Sequence, residues 1–126
     1  MTEPPFMIDG ARVLEFATFD EAVERSGPTS TVFGGMPVHL HDIAGVAVVQ
    51  DLVEDGVFLI VCNDEWVSMT SARFADAPGA KASAEEALPT VRARWQAYRD
   101  LTPEERKELE TTRAFLRELA QQFPDE

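Results

Sequence analysis

One stretch decides the fold: residues 45–70 read GVAVVQDLVEDGVFLIVCNDEWVSMT. Two runs within it, at residues 46–53 and 57–62, are rich in β-branched and large apolar side chains. Runs of this kind are typical of strands that are buried on both faces. Asp55-Gly56 lies between the runs, and this dipeptide is a strong signal for a β-hairpin. The stretch therefore predicts two paired antiparallel strands at the centre of a sheet.

A second tight turn is predicted directly after the central hairpin. Asn63 and Asp64 tolerate the left-handed backbone conformation that such turns require. Residues 66–70 follow, with one apolar face, and predict a third strand. The two turns therefore flank a single central strand.

The rest of the chain adds three strands and three helices to this centre. Thr18 with Glu21, and Thr102 with Glu105, have the spacing of a helix capping box, and Asp76 is a candidate N-cap. Residues 91–98 alternate between apolar and polar types, which favours a strand over a helix although alanine and arginine are good helix formers. The predicted strands are residues 12–16, 38–42 and 91–98, and the predicted helices are residues 18–27, 77–88 and 102–123. Residues 31–37 are expected to form a loop.

This order of elements predicts one α+β domain over residues 1–126, with a mostly antiparallel sheet and helices packed on one side. Residues 1–10 are proline-rich and are expected to be extended. A chain of 126 residues has the usual size of one domain. With one cysteine, no basic leader segment and no long apolar run, we expect a cytoplasmic protein.

Charge is distributed unevenly along the chain. The sequence has 23 acidic and 11 basic residues, a net charge of −12, and no lysine or arginine between Ser26 and Ala72. Phosphate binding requires clustered basic residues, so nucleic acid and anionic membranes are poor partners. A basic protein is the expected complement, although such acidity can also serve solubility alone.

Adjacent acidic residues mark the two predicted turns of the central stretch. If these turns lay at one end of the sheet, their fields would add and form a docking surface for a basic protein. Paired carboxylates can also perform acid–base catalysis, but only where burial separates their pKa values, and turn tips are solvated. The candidate partner-binding residues are Asp51, Glu54, Asp55, Asp64 and Glu65. An immunity protein or antitoxin that inhibits a basic nuclease toxin is one form of this hypothesis.

His39 and His41 form the alternative candidate site. On one strand their side chains would lie on the same face, about 7 Å apart at Cα, where two imidazoles can share a metal ion. A metal site would require a further ligand. Two interpretations of the pair therefore stay open, a metal-binding module or metal-dependent enzyme on one hand and a solvated histidine pair on the other. We expect no other cofactor, and no sequence motif nominates catalytic residues. Cys62 is expected to be a buried hydrophobe, because neighbouring acids disfavour its thiolate.

The last predicted helix has a narrow apolar stripe. Its members recur at intervals of three and four residues, namely Leu109, Thr112, Leu116, Leu119 and Phe123. Such a stripe packs against a sheet or pairs with another helix, and the second case would give a homodimer.

The segment between Phe58 and Trp95 resembles small bacterial α+β proteins of unassigned function. The resemblance is carried by an apolar strand, the sequence Cys62-Asn63-Asp64-Glu65-Trp66, a short helix and the alternating residues after it. It implies a strand–turn–strand–helix–strand order and no particular active site.

Overall fold

The computed structural model describes residues 3–18, 30–33, 36–39, 43–87, 91–92 and 94–122, with the backbone alone at 30–33 and 36–39. The strands are β1 (Met7–Ile8), β2 (Ala11–Thr18), β3 (Ser30–Phe33), β4 (Met36–His39), β5 (Gly45–Gln50), β6 (Val57–Cys62), β7 (Ser68–Phe74) and β8 (Gln96–Ala97). The helices are α1 (Ala77–Ala87) and α2 (Pro103–Gln122). The fold is α+β with an antiparallel sheet and a long C-terminal helix, as predicted.

The main sheet has the strand order β1-β2-β5-β6-β7, with β8 also paired to β2. Strands β5 and β6 pair from Gly45 opposite Cys62 to Gln50 opposite Val57, so the predicted central hairpin is confirmed. The first of these strands ends at Gln50, three residues earlier than expected. Strand β7 completes the predicted second hairpin but begins at Ser68.

Each face of the sheet has its own apolar core, because side chains alternate along β5 and β6. One face is packed against α1 through Ala80 and Ala84, both fully buried. The opposite face is covered by Trp66 and, in part, by Tyr98. Burial on both sides explains why these strands are almost uninterrupted apolar runs.

The turn between β6 and β7 is organised by the side chain of Asn63. Its Oδ1 accepts hydrogen bonds from the amides of Glu65 (2.9 Å) and Val67 (3.0 Å). Trp66 consequently adopts a positive φ of 58°, and its ring turns back over the sheet instead of continuing the strand. The ring meets Phe16 edge-on at 6.0 Å between centroids, so Trp66 is a core residue that delays the start of β7.

Two hairpins lie where the sequence predicted extended or loop structure. Asp9 and Gly10, with φ of 52° and 76°, form a two-residue turn between β1 and β2, and Asp-Gly is favoured in such turns. Strands β3 and β4 form a separate two-stranded sheet across residues 31–37. The expected loop is therefore wrong at residues 31–33 and 36–37, whereas residues 34–35 lie outside the described residues. The helix predicted at residues 18–27 lies outside the described residues, apart from Thr18, which ends β2.

The strand predicted at residues 91–98 is mostly wrong. Only Gln96–Ala97 pairs with β2, opposite Phe16 and Glu15, whereas Val91 and Arg92 form a 3₁₀ turn. Val91 is buried in the core on the α1 side, and Trp95 packs against the same core. Burial follows the alternation at Val91 and Trp95 but not at the end of the segment, where Ala97 is exposed and Tyr98 is half-buried.

Helix α2 begins with the predicted capping box. The amide of Glu105 donates to Thr102 Oγ1 (3.1 Å), and the amide of Thr102 donates to Glu105 Oε1 (2.9 Å). Arg99 bonds both carboxylate oxygens of Glu105, at 2.7 and 2.8 Å, and also reaches Glu3 at 2.9 Å. The cap therefore ties the helix to the N-terminal segment of the chain.

This arrangement makes the stability of the first turn of α2 depend on pH. The hydrogen bonds from Arg99, then that from the amide of Thr102, lower the pKa of Glu105 from about 4.5 to about 2. Because the folded-state pKa is the lower one, the stabilisation is complete above about pH 4.5 and is lost as the pH falls towards 2. We expect the melting temperature of the wild type to fall more steeply over this range than that of Glu105→Gln, measured by circular dichroism. Parallel curves would contradict the assignment.

The apolar stripe of α2 is only partly packed. Leu109 is buried in a small cluster with Leu52 and Leu101, while Leu116 is half-buried against it. Phe115 is 58% exposed. The first half of α2 thus packs on the cluster of Leu52, Leu101 and Leu109, and its second half is largely exposed.

Within the described ranges, no helix combines the length and apolarity that a membrane span requires.

Candidate protein-binding surface

The candidate acidic residues lie at two opposite ends of strand β6. Asp51, Glu54 and Asp55 belong to the loop that enters β6, whereas Asp64 and Glu65 belong to the turn that leaves it. Six residues at about 3.3 Å each separate these ends by about 20 Å. The expectation that all five acids share one end of the sheet is therefore wrong, because two turns that flank one strand must lie apart.

The loop of Asp51, Glu54 and Asp55 is held by a single base, Arg73 of β7. Its Nη1 lies 3.2 Å from Asp51 Oδ2, and its Nη2 lies 3.4 Å from Glu54 Oε2. Nη2 also donates to the carbonyl oxygen of Asp55 at 2.6 Å. The guanidinium stacks on Phe58 at 5.1 Å from the ring centroid. One positive charge therefore offsets three carboxylates, and the loop keeps a net negative charge.

Asp51 has a structural role within this loop. Its Oδ1 accepts hydrogen bonds from the amides of Val53 (2.9 Å) and Glu54 (3.2 Å). Partial burial raises the pKa of Asp51, but these two amides and Arg73 outweigh it, and the pKa lies below its ordinary value. Asp51 thus shapes the loop, whereas Glu54, which lies 3.4 Å from Arg73, and Asp55 are exposed to solvent.

A groove of about 330 Å³ opens beside this loop. Three elements form its sides: the β1–β2 turn, the β5–β6 loop and the second half of α2. The lining residues are Asp9, Gly10, Ala11, Asp51, Val53, Glu54, Phe58, Leu116 and Ala120. Its lining thus combines apolar side chains with three carboxylates, and no basic residue is among the described residues that line it.

Neither Asp9, which lines the groove, nor Arg73, which pairs with the acidic loop beside it, was identified from the sequence. The signal for Asp9 was present, since Asp9-Gly10 between apolar residues is a hairpin dipeptide. Within the described part of the chain Asp9 makes no ion pair, so its carboxylate is available to a partner. Arg73 is the first base after the base-free stretch, but nothing in the sequence indicates that it folds back on Asp51.

The histidine pair receives no support from the described structure. Strand β4 ends at His39, which pairs with Ser30 through the backbone, and His41 lies outside the described residues. Among the residues that the structure describes, no three histidine, cysteine or acidic side chains could jointly hold a metal ion. The shared-metal hypothesis for His39 and His41 therefore stays a prediction.

Cys62 is a buried member of the core on the Trp66 side of the sheet. Burial, and then the charge of Asp9, raise the pKa of its thiol to about 12. The thiolate is thus disfavoured, as predicted, although the contributing carboxylate is Asp9 and not the neighbours of Cys62 in sequence. A nucleophilic role for Cys62 has no physical basis here.

Comparisons with known proteins identify no relative. No family model, no curated protein and no solved structure matches the chain. The resemblance between Phe58 and Trp95 therefore stays a prediction, and function has to be inferred from the residues themselves.

Proposed function

We propose that this protein is a non-enzymatic binding domain that docks a basic partner protein at the Glu54 end of the sheet. The observation that carries the proposal is the groove, which is lined by Asp9, Asp51 and Glu54 together with apolar side chains. A surface of one sign accelerates association with a partner of the opposite sign and rejects like-charged ones. Asp64 and Glu65 are too distant to join this surface.

An inhibitor of a basic nuclease toxin, of the immunity-protein or antitoxin kind, is the concrete form of this function. The carboxylates would occupy positions on the toxin that nucleic-acid phosphates otherwise fill. A net charge of −12 supports fast, salt-dependent association. We further propose a cytoplasmic location, which is supported by the single, buried cysteine, because disulfides are rare there.

Affinity capture from the source lysate tests the charge complementarity. We expect the immobilised protein to retain a basic protein at about 0.01 M salt and to release it near 1 M, where the Debye length shrinks to about 3 Å. Glu54→Gln/Asp55→Asn should lose most of this retention. The matched variant Asp64→Asn/Glu65→Gln removes the same charge at the opposite end and should retain the protein.

Two results would count against the proposal. Absence of any retained basic protein at low salt would remove its main support. Equal loss in both double variants would show that net charge, and not the Glu54 end of the sheet, governs retention.

A further inference from the structure

The groove beside α2 differs from an ordinary acidic patch because apolar side chains make up much of its lining. Phe58 is half-buried, Val53 is 36% exposed, and Leu116 and Ala120 lie one helical turn apart on α2. Water is a poor partner for such a surface, and an apolar groove with polar edges marks an interaction site. Recognition here combines burial of apolar side chains with charge.

The backbone around the groove restricts what can bind in it. Phe58 belongs to β6, which is hydrogen-bonded on both sides by β5 and β7. The remaining lining residues belong to two turns, the start of β2 and a helix, so within the described part of the chain no free edge of a central strand faces the groove. A partner strand would therefore find no row of backbone groups to pair with. Side chains must make the contacts, and they are best presented by a helix.

A helix is also the element that fits the shape of the groove. Leu116 and Ala120 form one wall, and the small Ala120 permits a close approach by a second helix at the usual spacing of about 8–10 Å. An amphipathic helix presents apolar side chains at i, i+3, i+4 and i+7 to such a groove. The groove volume of about 330 Å³ accepts a few of these side chains.

The negative charge at the groove distinguishes between two sources of that helix, a second copy of this chain and a partner protein. The carboxylates of Asp9, Asp51 and Glu54 border the groove. Arg73 pairs with Asp51 and Glu54 and offsets one of the three charges, whereas Asp9 has no ion-pair partner among the described residues. A second copy of this chain would bring a net charge of −12 to the same carboxylates, which disfavours self-association. A helix with lysine or arginine beside its apolar stripe has the complementary charge.

We infer that the groove bordered by α2, the β1–β2 turn and the β5–β6 loop receives an amphipathic, basic helix of a partner protein. This inference rests on the proposed function, because it specifies which part of the basic partner is bound. The apolar stripe of the helix enters between Phe58 and Leu116, and its cationic side chains meet Asp9 and Glu54.

A labelled peptide tests the groove directly. The probe is a helix-forming peptide of roughly 18 lysine and leucine residues, with leucine at helical spacing, and the reference is a scrambled peptide of the same composition. We measure fluorescence anisotropy at about 0.05 M salt. The amphipathic peptide is expected to bind about tenfold more tightly than the scrambled one, since only it presents a continuous apolar face.

Matched variants locate the binding site. Ala120→Phe fills the groove and should weaken peptide binding by about tenfold, whereas Ala114→Phe, at an exposed position of the same helix outside the groove, should not. Asp9→Asn/Glu54→Gln should weaken binding by a similar factor, and asparagine tolerates the positive φ of residue 9. Asp64→Asn/Glu65→Gln should change it less than about twofold.

The outcomes separate this inference from the proposed function. Equal affinities for the two peptides, or equal effects of Ala120→Phe and Ala114→Phe, would overturn the groove as a helix site, even if a basic protein is still captured from lysate. A solution mass that doubles with concentration, and returns to the monomer in Ala120→Phe, would assign the groove to a second copy instead. If only the capture from lysate fails, the result contradicts the proposed function and leaves the groove as a helix-binding site unaffected.

Discussion

Gly45→Ala is expected to destabilise the protein by about 2 kcal/mol or more, within or above the range for overpacking a core. A Cβ at residue 45 would lie 2.6 Å from Cη2 and 2.8 Å from Cζ3 of Trp66, well inside van der Waals contact. The Trp66 ring is 7% exposed and held edge-on against Phe16, so it can withdraw only by breaking that contact. Urea unfolding followed by circular dichroism measures the loss.

A double-mutant cycle identifies the cause of this destabilisation. In a Trp66→Leu background the ring atoms that crowd residue 45 are gone, and Gly45→Ala should cost much less. The carbonyl oxygen of Ala17, 3.1 Å from the added Cβ, is the other close contact. An equal cost in both backgrounds would assign the effect to that carbonyl and refute a role for Trp66.

The central hairpin could be predicted because several independent signals agree there. Val46, Val48 and Val49 are β-branched and fully buried, and Asp55-Gly56 marks the connection, although that connection is the six-residue loop 51–56 and not a two-residue Asp-Gly turn. The capping box of α2 was equally clear, since Thr102 and Glu105 act within four residues of each other. Local signals of this kind require no knowledge of distant parts of the chain.

The short strands could not be found in the same way. Strand β8 contains only two residues. It forms because β2 can pair with it at Glu15 and Phe16, which depends on the tertiary structure and not on the local sequence. The alternation indicated burial of Val91 and Trp95, but Ala97 on the same predicted face is exposed and Tyr98 on the other is half-buried. A periodic pattern over eight residues therefore fails where the backbone does not form the single strand that the pattern assumes.

The separation of the acidic pairs was available from the sequence, whereas the groove was not. Glu54-Asp55 and Asp64-Glu65 flank a single predicted strand, and the two ends of one strand cannot meet. The groove, in contrast, assembles Asp9, Glu54 and Ala120 from the beginning, middle and end of the chain. This arrangement depends on where α2 docks, and the local sequence pattern does not determine that position.

Docking of α2 depends on Leu109, and Leu109→Ala is expected to cost about 2–5 kcal/mol of stability, as for other fully buried leucines. Leu109 is 4% exposed and packs with Leu52 of the β5–β6 loop and with Leu101. Phe115→Ala is the matched control on the same helix, because a side chain that is 58% exposed loses little burial when truncated. Chemical unfolding of the two variants should therefore differ by more than about 1 kcal/mol.

Hydrogen exchange shows whether Leu109 also maintains the binding groove. Leu116 and Ala120 belong to the groove only while α2 remains docked, and Leu109 is the fully buried contact that holds it. In Leu109→Ala the amides of residues 112–122 should exchange faster than those of β5 and β6, and the peptide should bind more weakly before the sheet unfolds. If exchange rises equally in the helix and the sheet, α2 and the sheet unfold as one unit. In that case Leu109 stabilises the whole domain and does not hold the helix separately.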